Sequence, residues 1–179
     1  LTTAVMAMEM TSRQLDQNPT IAREKCDLAL QQTRQGLADL RHAIKTMQSQ
    51  EDVGLDKQLT QLAKRIMRTT DLTISVINEL ETEPLPIQQH MLLKAVEEFA
   101  TNTLKHGDGK QIDLLLQEFD GHYHLLLNDD GSGTDDIHFG FGLQNIQNRT
   151  ESLGGTMQAE SSPGEGFSLH IILPAGRTV

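Results

Sequence analysis

Mostly apolar residues recur at intervals of four and three over the first part of the chain, as they do along the seam of a helix. Asn18-Pro19 interrupts this pattern, because proline cannot continue a helix but can occupy the first turn of a new one. The pattern therefore predicts two antiparallel helices, each with a narrow apolar stripe. The seam positions are Leu1, Val5, Met8, Ser12 and Leu15 in the first helix and Cys26, Leu30, Thr33, Leu37, Leu40, Ile44 and Met47 in the second.

A lone helical hairpin buries too little apolar surface to be stable, so its stripes need a partner. We expect residues 1–50 to pair with a second copy of the chain in a four-helix bundle, which makes the protein a homodimer. The alternative is that the hairpin packs on the rest of its own chain. The polar, glycine-ended segment 49–54 predicts a boundary between a domain over residues 1–50 and another over residues 51–179.

The second domain alternates between helical and strand patterns. Helical spacing marks Leu55 to Met67, Pro86 to His106 and residues 143–153. Alternation of apolar and polar residues marks strands at 71–78, on either side of Asp120-Gly121, near 156–160 and at 167–173. We therefore predict an α+β fold, in which a mixed sheet of about five strands and three helices form an α/β sandwich.

The chain of 179 residues is 37% hydrophobic and 22% charged, which is typical of a folded, soluble protein. Its formal net charge is −10 and it has no Lys- or Arg-rich patch, which argues against a nucleic-acid partner. No apolar run reaches the ~18–20 residues that a membrane span needs. The lone Cys26 cannot form an internal disulfide, so we expect a cytoplasmic setting, whether or not a longer parent protein is anchored in a membrane.

The helix Pro86–His106 carries a polar edge beside its apolar stripe. Glu98 and Asn102 are four residues apart, and Lys105 and His106 follow them. A carboxylate, an amide oxygen and a cation therefore share one side of the helix. Exposed Glu and Asn residues are common on helices, so this pattern alone is a weak signal for a functional site.

The segment Asp129–Leu143 joins an acidic residue at a strand end to two glycine pairs and the start of a helix. A carboxylate can accept a hydrogen bond from the amino group of a base, and the N–H groups of a helix N-terminus can bind phosphates. The arrangement favours a nucleotide site, although a glycine pair by itself is more often a turn.

The motifs occur in a specific order: E-x-x-x-N-x-x-K-H, D-x-G-x-G, G-x-G-L and P-G-x-G-x-S. This order resembles the ATP-binding domain of sensor histidine kinases. That domain belongs to an ATPase superfamily shared with gyrase, the heat-shock chaperone of the ninety-kilodalton class and mismatch-repair ATPases. The helical hairpin resembles the dimerisation and phosphotransfer helices of the subgroup related to nitrate and membrane-lipid sensors. The resemblance covers nearly the whole chain.

The resemblance implies an ATP-dependent protein histidine kinase that uses Mg²⁺. Its parent would phosphorylate its own histidine and transfer the phosphoryl group to an aspartate of a response regulator. On the helix, Glu98 matches the residue that acts as a base or orients the attack, and Asn102 matches the Mg²⁺ ligand. Lys105 and His106 match residues near the phosphates. A single amide ligand suffices, because Mg²⁺ keeps several waters and phosphate oxygens complete its shell.

In the glycine-rich segment, Asp129 matches the aspartate that reads the adenine, and Gly131 and Gly133 match glycines that shape its pocket. Ser168 stands where the family usually has a threonine beside the adenine. The short segment between the two glycine pairs, Thr134 to Phe139, matches the lid of the family, and Gly140 and Gly142 match the lid glycines that face the phosphates. Leu143 completes the implied ATP-binding set.

The chain departs from the family at its start. In the subgroup that it resembles, the accepting histidine lies on the first helix, and Leu1 aligns just downstream of that residue. We therefore expect this chain to contain no phosphoacceptor and to be unable to autophosphorylate alone. His42 is a weaker candidate, since it lies off the predicted seam.

The remaining histidines suggest little chemistry. His122 and His124 form an H-x-H pair on one face of a strand, which can bind a metal ion. Because the sequence indicates no third ligand, we interpret the pair as surface residues of an edge strand. His138 lies in the lid, where it could approach the phosphates, whereas His90 and His170 belong to no motif.

Two other functions remain open. A serine kinase of the anti-sigma type shares the ATP-binding domain, although it needs no long heptad hairpin in front. A non-catalytic dimerisation module with a relict ATP site is disfavoured by the joint presence of Glu98, Asn102 and Asp129.

Overall fold

The computed structural model describes residue 33 and the ranges 54–106 and 108–176. The predicted hairpin, and with it dimerisation through residues 1–50, lies outside the described residues apart from Thr33. The ranges after residue 53 belong to one compact unit, Val53–Val179. Its helices are α1 (Leu55–Thr69), α2 (Pro86–His106) and α3 (Phe141–Ser152), and its strands are β1 (Thr73–Glu79), β2 (Gln111–Phe119), β3 (His122–Asp129), β4 (Thr156–Ser161) and β5 (Phe167–Pro174).

The five described strands form one mixed sheet in the order β1-β2-β3-β5-β4. β1 pairs with β2 in parallel, and the other neighbouring strands are antiparallel. Asp120 and Gly121 join β2 to β3 in a two-residue turn with φ angles of 49° and 70°, as expected for an Asp-Gly hairpin. At the centre of the sheet, β3 and β5 bring residues distant in sequence, such as Leu127 and Leu169, into register.

One face of the sheet is buried because successive strand residues point to opposite faces and every second residue is apolar. The buried strand residues are Ile74, Ile112, Leu114, Leu116, Tyr123, Leu125, Leu127, Leu169, Ile171 and Leu173. They form a single hydrophobic core with the apolar stripes of the helices. The opposite face of the sheet is more open, since Ile77 is 51% and Phe119 69% exposed.

Each described helix contributes to the core through residues three or four apart, which is the repeat of one helix face. α2 crosses the middle of the domain, and it contacts α1, α3, β3 and β5. The buried helix residues are Leu55, Leu59, Leu62 and Ala63 in α1, Met91, Leu92, Ala95, Val96, Phe99, Ala100 and Thr103 in α2, and Leu143, Ile146 and Thr150 in α3. α2 is therefore the element that can connect the site residues on the strands with those on α3.

The predicted α+β fold, with a mixed five-stranded sheet and three helices, is confirmed for the described residues. α2 has the predicted bounds, but α3 begins at Phe141, two residues earlier than residue 143. Gly140 is the N-cap, so Gly142 lies inside the helix rather than before it. Among the described residues, no helix has the length and apolar character that crossing a membrane requires.

Candidate functional site

Asp129 is the last residue of β3, and strand alternation places its side chain on the same face as the buried Tyr123, Leu125 and Leu127. Its Oδ1 accepts hydrogen bonds from the backbone N–H of Gly131 at 3.0 Å and of Phe167 at 3.1 Å. Its Oδ2 accepts one from the Thr103 hydroxyl at 2.9 Å. Four lone-pair sites on a carboxylate leave Oδ2 able to accept one more hydrogen bond. The structure therefore holds a half-buried carboxylate in one orientation with acceptor capacity to spare.

The glycine-rich segment after Asp129 is fixed by the turn between β4 and β5. Gly164 N–H donates to Ser132 O at 2.6 Å, and Thr134 N–H donates to Ser161 Oγ at 2.9 Å. Gly133 has a φ of 65°, and a Cβ there would lie 2.0 Å from Ser162 O. The backbones of the D-x-G-x-G and P-G-x-G motifs therefore contact each other directly. This close approach explains why both motifs contain glycine.

Two glycines of the β4–β5 turn provide a matched test of this contact. Gly166 and Gly164 both have positive φ angles, of 73° and 82°. A Cβ on Gly166 would lie 2.0 Å from Asp129 O, whereas a Cβ on Gly164 would meet nothing within 4 Å. Gly164→Ala is expected to lower the free energy of unfolding by about 1 kcal/mol, because alanine is strained in the left-handed backbone conformation. Gly166→Ala should lower it by about 3 kcal/mol or more, because the neighbouring backbone must also move. Urea denaturation measures both, and equal costs would contradict the close contact.

On α2, Glu98 and Asn102 are half-buried and Lys105 is exposed. Their i, i+4 and i+7 spacing places all three on one side of the helix, as predicted. The side chain of His106, the last residue of α2, lies outside the described residues. The Glu98 carboxylate packs directly on the backbone of Gly142, where an added Cβ would lie 1.7 Å from Glu98 Oε1. The structure thus brings Glu98 to the first turn of α3.

The start of α3 supplies backbone donors beside Glu98. Gly140 is extended, with φ −66° and ψ 175°, and its carbonyl accepts from Gln144 N–H at 3.0 Å. Leu143 is buried in the core and fixes the first turn of the helix. The first N–H groups of a helix have no partner within it and can bind an anion. The site therefore combines an acceptor at Asp129 with donors at α3, connected by α2.

Two further carboxylates, which the sequence reasoning did not select, shape the segment. Asp130 Oδ1 accepts from the backbone N–H groups of Lys110 at 2.6 Å and Gln111 at 2.8 Å. These hydrogen bonds, Gln111 first and Lys110 second, hold the Asp130 pKa below its usual value. Ser132 N–H donates to Asp108 Oδ1 at 2.9 Å. Both carboxylates connect the glycine-rich segment to residues 108–111.

Ser168 does not lie beside the Asp129 carboxylate, and its expected place next to adenine stays a prediction. It pairs with Asn128, and its Oγ donates to Asn128 Oδ1 at 2.6 Å on the opposite face of the sheet. The residue on the Asp129 side is Phe167, whose N–H contacts Asp129 and whose ring centroid lies 6.0 Å from that of Phe99. The alternation of buried Leu169, Ile171 and Leu173 was the signal that could have shown this.

Thr103 and His138 have contacts that the sequence did not indicate. Thr103 is buried on the core face of α2, and its hydroxyl also donates to Asp129. A hydroxyl in an apolar stripe was the available signal, since buried hydroxyl groups need a partner. His138 is exposed, with Nε2 2.9 Å from Asp136 Oδ2 in the lid.

Comparison with known proteins gives one family and several relatives. Residues 87–177 match the family described as "Histidine kinase-, DNA gyrase B-, and HSP90-like ATPase". The chain is 28% identical over 138 residues to sensor histidine kinase LnrJ of Bacillus subtilis, an alignment that covers 76% of this chain and 34% of LnrJ. It is 26% identical over 109 residues to sensor protein VraS of Staphylococcus aureus, with 58% of this chain and 31% of VraS covered. The chain therefore spans about a third of each of these relatives.

Solved structures give the same fold. A blue-light activated histidine kinase from Erythrobacter litoralis superposes with a TM-score of 0.62 at 19% identity, covering 94% of this chain and 64% of that one. The ATP-binding domain of PrrB from Mycobacterium tuberculosis superposes with a TM-score of 0.51 at 23% identity, covering 65% of this chain and 90% of that domain. At these identities the likeness concerns the fold.

Proposed function

This chain belongs to the family of histidine kinase-, DNA gyrase B- and HSP90-like ATPases, and we propose that it is the ATP-binding kinase core of a two-component sensor histidine kinase. The observation that carries the proposal is the Asp129 carboxylate, which three donors hold at the end of β3. In the proposal, Oδ2 accepts a hydrogen bond from the 6-amino group of adenine. Because the carboxylate is already oriented, binding costs little reorganisation.

The phosphates are proposed to lie toward the N-terminus of α3, where the first backbone N–H groups have no partner within the helix. Asn102 would supply an amide oxygen to Mg²⁺, and Glu98 would act as a base or orient the attack. The donor types fit this ion, which prefers oxygen ligands. Among the described residues, no group of three or more His, Cys, Asp or Glu residues could hold a metal ion. The ion would therefore arrive with the nucleotide and neutralise the charge on its phosphates.

The rest of the reaction is proposed for the longer parent. Two relatives are named as a sensor histidine kinase and a sensor protein, and the chain spans about a third of each. We propose that the parent acts in the cytoplasm as a homodimer through residues 1–50, phosphorylates its own histidine and transfers the group to an aspartate of a response regulator. The accepting histidine is proposed to lie outside this chain, so the chain alone binds ATP without phosphorylating itself.

A thermal melt of the purified chain tests the proposal directly. Mg-ATP at a hundredfold excess over its Kd is expected to stabilise the folded state by about 2.7 kcal/mol. The measurement is the midpoint of unfolding at increasing Mg-ATP, with Mg-GTP at the same ionic strength as the control. An unchanged midpoint with ATP, or the same shift with both nucleotides, contradicts an adenine site at Asp129.

Labelled ATP separates the histidine kinase from the serine kinase of the anti-sigma type. The parent is expected to acquire a label that acid removes and alkali does not, as expected of phosphohistidine. An acid-stable label on a seryl substrate would favour the serine kinase instead. Label at His42 of the chain itself would contradict the proposal that the chain lacks an acceptor.

A further inference from the structure

Three histidines lie together on the open face of the sheet, away from the residues proposed to bind ATP. His122 and His124 alternate with the buried Tyr123 and Leu125 on β3, and His170 lies between buried residues of β5. The ring centroid of His124 lies 6.4 Å from that of His122 and 5.4 Å from that of His170. β3 is the central strand of the sheet, so the interpretation of the H-x-H pair as part of an edge strand was wrong. The pairing of β3 with β5 adds a neighbour to this pair that the sequence did not reveal.

The two central rings already point coordinating atoms at each other. Nδ1 of His124 and Nε2 of His170 are 3.2 Å apart. Two nitrogens that bind one tetrahedral Zn²⁺ at about 2.0–2.1 Å must themselves be about 3.3 Å apart. An ion can therefore replace the hydrogen bond between the rings without a change in their separation.

The third imidazole on this face, His122, has a partner that can fix its tautomer. Nδ1 of His122 lies 2.8 Å from the carbonyl oxygen of Asp120, which suits a ring that donates there and keeps its other nitrogen as an acceptor. This is the arrangement in which histidine ligands of metal ions are usually held.

We propose that His124 and His170 bind a divalent transition-metal ion of the Zn²⁺ class, each through the nitrogen that faces the other ring. Each neutral ring keeps its single proton on its other nitrogen, so binding requires a change of tautomer and no release of protons. The described residues contain no ready group of three such ligands, so water completes the coordination shell. His122 is the nearest additional imidazole on the same face.

An ion at this position would connect β3 to β5. Asp129 ends β3 and Phe167 begins β5, and these two residues share the hydrogen bond that orients the proposed adenine-binding carboxylate. Occupation of the site is therefore expected to stabilise the sheet. The inference does not depend on ATP binding, since it concerns the opposite face.

Titration of the metal-free chain with Zn²⁺ against a chromophoric chelator, without nucleotide, tests this site. His124→Gln and His170→Gln are each expected to weaken Zn²⁺ binding at least tenfold. Loss of a residue that only supports a ligand lowers metal affinity roughly 10–100-fold, and loss of the ligand itself should lower it by no less. His138→Gln removes an exposed imidazole from the lid and should leave the affinity unchanged. Zn²⁺ should also raise the melting midpoint of the original chain but not that of the two site variants.

Circular dichroism and a cooperative thermal melt without metal or nucleotide establish that each variant is folded. If folded His124→Gln and His170→Gln bind Zn²⁺ as tightly as the original chain, other residues hold the ion and the proposal is wrong. Equal losses in all three variants would contradict it too, because His138 lies in the lid and not on this face.

Discussion

Replacing Asp129 with asparagine is expected to weaken ATP binding about 100-fold or more while leaving the chain folded. An asparagine can keep the local hydrogen bonds. Its oxygen accepts from Gly131 and Phe167, and its NH₂ group donates to the Thr103 hydroxyl oxygen. Thr103 then donates to the carbonyl of Phe99, which its hydroxyl already contacts at 3.1 Å. No buried polar group is left without a partner, so the stability should change little.

The affinity for ATP falls because the NH₂ group of asparagine would face the 6-amino group of adenine. Two donors that meet in a partly buried site leave both unsatisfied, at a cost of about 1–3 kcal/mol for each. Guanine has an oxygen in place of that amino group and can accept from the asparagine. The preference for ATP over GTP should therefore fall, or reverse, in the variant.

Isothermal titration with Mg-ATP and Mg-GTP measures this prediction, and Asp130→Asn is its matched control. Asp130 is the next residue, it is exposed, and one oxygen accepts both of its side-chain hydrogen bonds from the backbone. An amide oxygen can accept them too, so Asp130→Asn should bind ATP like the original chain. Affinities of Asp129→Asn within threefold of the original, or equal losses in both variants, would contradict the role of Asp129.

Local features of the site could be predicted from the sequence because they depend on neighbouring residues. The apolar alternation before Asp129 predicts a strand end, and the following glycines predict a turn. The helical spacing of Glu98 and Asn102 likewise predicts a shared side of α2. The face on which Ser168 lies was also predictable locally, since strand alternation assigns it to the opposite face from Leu169.

Contacts between distant segments could not be predicted in the same way. His124 and His170 meet because of the register between β3 and β5, which depends on the packing of the whole core. Thr103 contacts Asp129 because α2 lies across β3. Neither contact leaves a periodic signal in the chain, and a single sequence gives no information about strand register beyond adjacent hairpins.

The contact between Glu98 and Gly142 leads to the second large effect, which is on catalysis rather than on binding. A Cβ on Gly142 would lie 1.7 Å from Glu98 Oε1 and 2.0 Å from Glu98 Cδ. The end of a flexible side chain can move away, so Gly142→Ala should leave the chain folded. The carboxylate would then be displaced by an ångström or more. Displacement of this size can cost about 100-fold in rate when a group must be positioned for phosphoryl transfer.

Gly140→Ala provides the control on the same segment. Gly140 has φ −66° and ψ 175°, which alanine adopts readily, and an added Cβ would meet nothing within 4 Å. In the parent with its accepting histidine, Gly142→Ala is expected to lower the rate of phosphorylation from labelled ATP about 100-fold, with the Kd for ATP changed by less than about threefold. Gly140→Ala should retain most of the rate.

A double variant shows whether the loss acts through Glu98. If Gly142→Ala displaces the Glu98 carboxylate, then Glu98→Gln and Gly142→Ala remove the same function, and their combination should cost about as much as either alone. Independent effects would instead multiply. A multiplied loss, or a Gly142→Ala variant whose defect lies entirely in the Kd for ATP, would show that Gly142 contacts the nucleotide and that Glu98 is not positioned by this contact. If the double variant is instead about as slow as either single variant, then Gly142 is needed because it leaves room for the catalytic carboxylate of Glu98.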